Sequence, residues 1–203
     1  MKITAKKGSV NKIHVSVDGE YLLTVDEEFW YTCGYAAKDE IDDGELDAFK
    51  EAAGRRCAFN KALDLVTRRE HGGEELRRKL ARSFDPEAAE SAVQRLRELG
   101  VVDDERFARR LAEELFERKG MSPRAIKFEL LQRGISNEIA NNIAQALDIE
   151  PVSRIINLLE TKYGDWQRDE KTRAKTYNAL VRLGYGYSDI RSAMSRFDVE
   201  LPE

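Results

Sequence analysis

The sequence predicts a mainly α-helical chain of three tandem three-helix repeats, each about 50 residues long, behind a small N-terminal β-hairpin and short-helix head. Three observations predict it. Apolar residues recur at helical spacing through most of residues 55–196. The stretch Gly100–Ile135 brackets two such runs with caps and stop glycines. Its pattern then recurs upstream at a constant offset of 50 residues, and more loosely downstream.

The head comes first. Ile13, Val15 and Val17 alternate with polar residues, as do Tyr21, Leu23 and Val25, so residues 2–25 read as strands. Asp18-Gly19 lies between the two sets. A two-residue loop there would pair Val15 with Leu22 and turn the apolar sets to opposite faces. A three-residue loop at Val17, Asp18 and Gly19 pairs Val15 with Tyr21 and Ile13 with Leu23. Both sets then share a face, and Gly19 takes positive φ. Ile3 and Ala5 supply a third, edge strand. Asp26 opens a short helix through Phe29, Trp30 and Tyr31 that ends at Gly34. The acidic cluster Asp39, Glu40, Asp42, Asp43 and Glu45 reads as a loop and a helix start. A calcium loop would need ligands at alternating positions, a defined glycine and a distal Glu. Leu46, Phe49 and Ala53 form the inner stripe of the next helix. Gly54 weakens it, which places the head at residues 1–54.

The first repeat covers residues 55–100. Its long helix carries Phe59, Leu63 and Val66 and breaks at Gly72-Gly73. A second helix presents Leu76 and Leu80. Asp85-Pro86 caps a third, with Ala89, Val93 and Leu96 inward, ending at Gly100. The second repeat covers 101–147. Asp103 caps its first helix, Asp104 and Glu105 favour the helix dipole, and Val102 with Phe107 has the spacing of a hydrophobic staple. Gly120 ends that run, Ser122-Pro123 starts the next through Ile126, Leu130 and Leu131, and Gly134 stops it. Ile139, Ile143 and Leu147 line the third helix. The third repeat covers 148–203. Pro151 starts a helix through Ile155, Ile156 and Leu159, and Tyr163–Glu170 is a longer loop. Two helices follow, through Ala174, Tyr177 and Leu180, and through Ile190 and Met194.

The repeat rests on particular matches. At an offset of 50, Ala62 matches Ala112, Leu65 matches Leu115, Val66 matches Phe116, Leu76 matches Ile126, Leu80 matches Leu130 and Val93 matches Ile143. Downstream, Leu130 and Gly134 match Leu180 and Gly184. Ile139 and Ile143 match Ile190 and Met194 one residue further on, which implies an insertion after Gly184.

Composition narrows the function. Charged residues make up 35% and hydrophobic residues 41% of 203, with a formal net charge of −4. The head holds six lysines against twelve carboxylates, so the helical body is slightly basic. That is not the strong basic bias of a protein whose sole partner is DNA. No apolar stretch approaches the roughly 18 residues of a membrane span, and no signal-peptide core is present. Cys33 and Cys57 form no metal or redox spacing, which fits reduced thiols in a cytoplasm. With only His14 and His71, His-rich metal sites are excluded. His71, beside two glycines, reads as a loop residue. There is no phosphate-binding loop and no nucleophile elbow, and Gly184-Tyr185-Gly186 follows no strand. No catalytic residue, metal ligand or cofactor is expected.

Basic residues are the better lead. Arg68, Arg69 and Arg77 recur as Arg118, Lys119 and Lys127 at the offset of 50, with Lys162 a partial third echo. In a regular stack, equivalent positions line one side and can meet phosphates or an acidic protein surface. The competing reading is a solvated face balanced by Glu70, Glu74, Glu75, Glu117 and Glu129.

The organisation resembles the RecX family of bacterial regulatory proteins. The most specific part is Gly100, Val101, Val102, Asp103, Asp104, Phe107 and Ala108, similar to the family's Gly-aromatic/aliphatic-aliphatic-Asp-Asp-x-x-Phe/Tyr-Ala signature. It continues through Gly120, Ile126, Leu130, Gly134 and Ile135, and Glu75, Leu76 and Leu80 match the family's pattern in the first repeat. Val101 stands where an aromatic is common, and Gly72 where a Ser usually starts the second helix. The resemblance implies a curved body of tandem repeats that docks in the groove of a RecA–DNA filament. It implies inhibition of RecA ATPase and strand exchange without catalytic residues. The expected partner is the RecA filament, with single- or double-stranded DNA reached weakly or through it. The alternative is a nucleic-acid-binding module acting directly on DNA. A cytoplasmic monomer without membrane contact is expected.

Overall fold

The computed structural model describes residues 1–147 and 149–198. Asp148 and residues 199–203, within the range assigned to the third repeat, lie outside the described residues. The elements in order are β1 (Ile3–Lys7), β2 (Lys12–Val17), β3 (Glu20–Asp26), α1 (Glu27–Thr32), α2 (Asp43–Arg68), α3 (Gly73–Leu80) and α4 (Pro86–Glu98). Then come α5 (Asp104–Glu113), continued by a π-helical turn (Glu114–Lys119), α6 (Pro123–Gln132), α7 (Asn137–Ala146), α8 (Pro151–Thr161), α9 (Glu170–Arg182) and α10 (Tyr187–Asp198). The chain divides into two units, Met1–Asp103 and Asp104–Glu203.

The strands form an antiparallel meander, β1-β2-β3. Its second hairpin corrects the expected pairing. Val15 faces Leu23 and Ile13 faces Val25, while Ser16 faces Tyr21 and Val17 faces Glu20. The loop is therefore the two residues Asp18 and Gly19, both at positive φ (49° and 85°). That geometry matches strand twist and suits Asp-Gly. The register shift after Val15 leaves Leu22 as a bulge, and the extra residue rotates β3 by one face. Ile13, Val15, Leu23 and Val25 thus share a face without a three-residue loop, and Tyr21 is exposed. The requirement for a common apolar face was sound; the bulge satisfies it.

Asp26 caps α1 by accepting the Phe29 amide at 2.9 Å. Arg56 of α2 donates to the same carboxylate through Nε (2.9 Å) and Nη2 (3.0 Å), and Asn60 adds a third bond at 3.0 Å. Burial opposes the charge of Asp26, but the bonds from Arg56 and the Phe29 amide outweigh it and hold the carboxyl below its usual range. The Asp42–Glu45 capping box starts α2, the helix start expected in the acidic cluster. α2 then runs 26 residues without interruption, about 39 Å at 1.5 Å per residue. It serves two cores, with Phe49 and Ala53 in the head and Ala58 and Ala62 in the first repeat. Gly54 sits inside this helix, so the weakening expected there produces no break. A mid-helix glycine costs about 1 kcal/mol relative to Ala, and α2 is packed on both sides of it.

Each repeat has its own core. Leu76 and Leu80, Ile126 and Leu130, and Ile155, Leu159 and Leu180 are fully buried in the first, second and third. The third-helix equivalences shift from those expected. α4 and α7 have their N-caps at Asp85 and Ser136. Their inward alanines are Ala89 and Ala140, which puts the offset at 51 and pairs Val93 with Ala144. Between the second and third repeats the offset stays at 50. The amides of Ile135 and Tyr185 donate to Leu130 O and Leu180 O, and those of Ala140 and Ile190 to Ser136 O and Gly186 O. The extra residue therefore lies in the α6–α7 turn, where Gly134 is left-handed (φ 84°), not after Gly184. α3 ends at Ala81 in a right-handed conformation and lacks that residue.

Within the second unit, repeat three satisfies the carbonyls that end the first helix of repeat two. The π-turn ends at left-handed Gly120 (φ 75°), and a helix terminus leaves its last carbonyls without intrahelical partners. Arg154 Nη2 donates to Phe116 O at 2.8 Å, Lys162 Nζ to Lys119 O at 2.8 Å, and Tyr185 Oη to Gly120 O at 3.1 Å. The Arg154 guanidinium also lies 4.2 Å over the Phe116 ring. Trp166, placed by its sequence in a loop, is buried and meets Phe197 edge-on at 5.6 Å.

Candidate interaction surface

The basic positions singled out in the sequence divide into two groups. In the first repeat each is engaged by a nearby carboxylate. Arg68 bonds Asp64 one turn back at 3.0 Å. Arg69 bonds Glu75. Arg77 makes two 2.8 Å bonds to Glu74 and lies 3.8 Å from Glu90. In the second repeat, Arg118 and Lys119 are exposed at the end of the π-turn, and Lys127 is half-buried on α6. Among the described residues these three make no ion pair. The equal sequence spacing thus conceals unequal electrostatics.

The signature residues lie in the second core, at a helix start and at helix-ending turns. Phe107, Ala108, Ile126 and Leu130 belong to the second core, and Gly100, Gly120 and Gly134 take positive φ. α5 starts at Asp104, directly after Asp103. Among the described residues no group of three or more His, Cys, Asp or Glu could hold a metal ion. None of the described helices is long and apolar enough to cross a membrane.

His71 does lie in a loop, yet it is buried, which its glycine neighbours gave no reason to expect. Its Nδ1 is 3.2 Å from Glu75 Oε1, off the line of a hydrogen bond. Burial, reinforced by the charge of Arg69, lowers its pKa. Burial also opposes the charge of Glu75, but Arg69 and Lys79 outweigh it and bring that pKa to about 2. Both groups therefore bind fewer protons folded than unfolded. Their stabilisation is complete above the unfolded values of 6.5 and 4.5 and is lost as pH falls toward the folded ones. The urea midpoint is expected to fall first between pH 7 and 5, from His71. It falls again below about pH 4.5, where Glu75 contributes about 3 kcal/mol. His71→Gln should remove the first decline and leave the second. A parent midpoint that is flat from pH 7 to 5 would mean that His71 binds its proton equally well in the folded and unfolded chain.

One feature of the third repeat escaped the sequence reading. α9 and α10 enclose a groove of about 510 Å3 lined by Arg173, Tyr177, Arg191 and Met194 among others. Tyr187, 62% exposed, stacks on Tyr177 with ring centroids 6.3 Å apart and planes 16° apart. Two tyrosines ten residues apart carry no signal in a one-dimensional pattern; the α9–α10 crossing brings them together.

Comparison with known proteins follows the same helix triplets. The family model for the first three-helix domain of RecX matches residues 58–96, and that for the second matches 103–147. The regulatory protein RecX of Xanthomonas campestris pv. campestris (strain B100) is 35% identical over 154 residues, which cover 75% of this chain and 91% of the relative. That of Clostridium tetani (strain Massachusetts / E88) is 25% identical over 201 residues, covering 96% and 92%. A crystal structure of regulatory protein RecX superposes with a TM-score of 0.66 at 17% identity over 96% of this chain and 98% of that one. The crystal structure of RecX from Lactobacillus salivarius gives 0.58 at 19% over 73% and 99%. At those identities the superpositions speak for the fold.

Proposed function

Because this chain belongs to the RecX family of regulatory proteins, we propose that it docks on the RecA–DNA filament and inhibits RecA ATPase and strand exchange. It works by binding, as a cytoplasmic monomer, and so modulates recombination and DNA repair. The observation that carries the choice of surface is the recurrence of basic residues at equivalent repeat positions, with Arg118, Lys119 and Lys127 making no ion pair among the described residues. A periodic filament meets a tandem repeat at several points, so contacts each worth about 0.2–1 kcal/mol add up and fall with salt. Arg68, Arg69 and Arg77 contribute less, because a docking phosphate or carboxylate must displace Asp64, Glu75 or Glu74.

The test is inhibition of RecA ATPase over a range of salt. Arg118→Glu with Lys127→Glu should raise the inhibitory concentration about tenfold at low salt, from roughly 1.4 kcal/mol of lost attraction, with the melting temperature nearly unchanged. Arg77→Glu alone should weaken inhibition modestly, and it should also lower the melting temperature by placing a carboxylate beside Glu74 and Glu90. If the double reversal inhibits like the parent at low and moderate salt, the basic positions are a solvated face.

A second reading, direct contact with DNA, is favoured by the paired tyrosines and arginines between α9 and α10. Aromatic faces and cations in one groove suit stacked bases and phosphates. Comparing the salt slope of binding to naked DNA with that for the filament separates the two, since each released counterion adds to the slope.

A further inference from the structure

Between α5 with its π-turn and α7 lies a groove of about 550 Å3 that the filament-facing cations do not use. Its floor is apolar. Phe116 and Ile143 are buried, Ile139 and Leu147 half-buried, and Ala146 exposed. Its rim is acidic, with Glu105, Glu113, Glu117 and Glu138 against the single cation Arg109. Glu105 already holds Arg109 at 2.5 Å. Glu117 approaches Arg154 only at 3.9 Å. Among the described residues Glu113 and Glu138 make no ion pair. Along α5 and its π-turn the groove runs from Glu105 to Glu117, about 18 Å, the length of a three-turn helix.

The repeat fold does not require this charge. The equivalents of Arg109 and Glu113 in the first repeat are Phe59 and Leu63, which pack against that repeat's core. The same helix positions are thus apolar, half-buried and packed against the core in one repeat, and line an open groove with an acidic rim in the next. An apolar floor between two helices receives the apolar stripe of a third, and a carboxylate rim selects a partner flanked by lysine or arginine. Nucleic acid would be repelled by the same rim.

We infer that the α5–α7 groove is a docking site for a basic amphipathic helix of a partner protein. This inference does not rest on the filament reading, and its test uses no recombinase. The full chain, labelled with 15N, is titrated with an 18-residue helical peptide of leucines at every third or fourth position flanked by lysines. A counterpart peptide carries glutamate in place of lysine. The lysine peptide should shift the amide signals of residues 109–117 and 138–147 saturably. Glu113→Lys with Glu138→Lys should weaken it at least tenfold without moving the melting temperature, since both carboxylates are exposed. The glutamate peptide should leave the spectrum unchanged. The proposal is overturned if the shifts map to another face, if the double variant binds equally well, or if the glutamate peptide binds. Concentration-dependent self-association of the unliganded chain, abolished by the same double variant, would assign the groove to a second copy and overturn it too.

Discussion

Leu130→Ala is expected to destabilise the second unit by about 2–5 kcal/mol, the range for emptying a packed leucine site. Leu130 is fully buried at the centre of the second core, beside Ile126 and Ala140. Its carbonyl also accepts the Ile135 amide at the left-handed turn after α6. The side chain lost is therefore one around which α6 and the turn into α7 are both organised. Residual collapse decides where in the range the cost falls, and a neighbouring alanine offers little volume to move in. Leu80→Ala should cost a comparable amount in the first unit, where Leu80 packs beside Leu76 and Ala89. Urea denaturation followed by backbone amide signals reads the two units separately. A shift near zero for Leu130→Ala would mean that α6 is rotated away from the phase described.

Gly184→Ala is expected to cost about 3–6 kcal/mol. Two effects add. Gly184 has φ +89°, where an L side chain costs about 1–2 kcal/mol. A Cβ there would also stand 2.5 Å from the Ala125 Cβ and 2.6 Å from Ser122 Oγ. Neither neighbour can swing aside. Ala125 has no further rotamer, and Ser122 Oγ is held by the Ala125 amide at 3.2 Å as the cap of α6. Relief requires moving the start of α6, with overpacking worth about 1–3 kcal/mol and loss of the cap about 1 kcal/mol. Gly100→Ala is the control. Its φ is +66°, but nothing stands within 4 Å of the added Cβ, so only the conformational cost of about 1–2 kcal/mol applies. Equal melting shifts for the two variants would show that the contact at Gly184 relaxes freely.

Much of the fold was legible because its signals are local. Asp26, Asp42, Asp85, Ser122 and Ser136 each accept an amide at a helix start. Gly120, Gly134 and Gly184 are left-handed at helix ends. The candidate site was legible only in part. Equivalent basic residues could be found by spacing, but whether each is neutralised depends on carboxylates a turn away or on the next helix. The third-helix register was misread because isoleucines were matched by type, whereas burial falls on Ala140 and Ile190.

By itself, then, the sequence determined most helix caps and the repeat of the first two helices with their apolar faces, since caps, left-handed glycines and 3.6-residue periodicity act within one or two turns of chain; it did not determine that α2 runs unbroken through Gly54 or how the third helices align. Only the tertiary structure decided that Leu22 bulges, that His71 is buried, that Arg154 and Tyr185 complete the end of a helix some 40 to 65 residues upstream, and that an acidic rim frames an open groove. Each of these depends on which distant groups are packed together and shielded from water, and that is set by the packing of whole helices and strands rather than by any short stretch of residues.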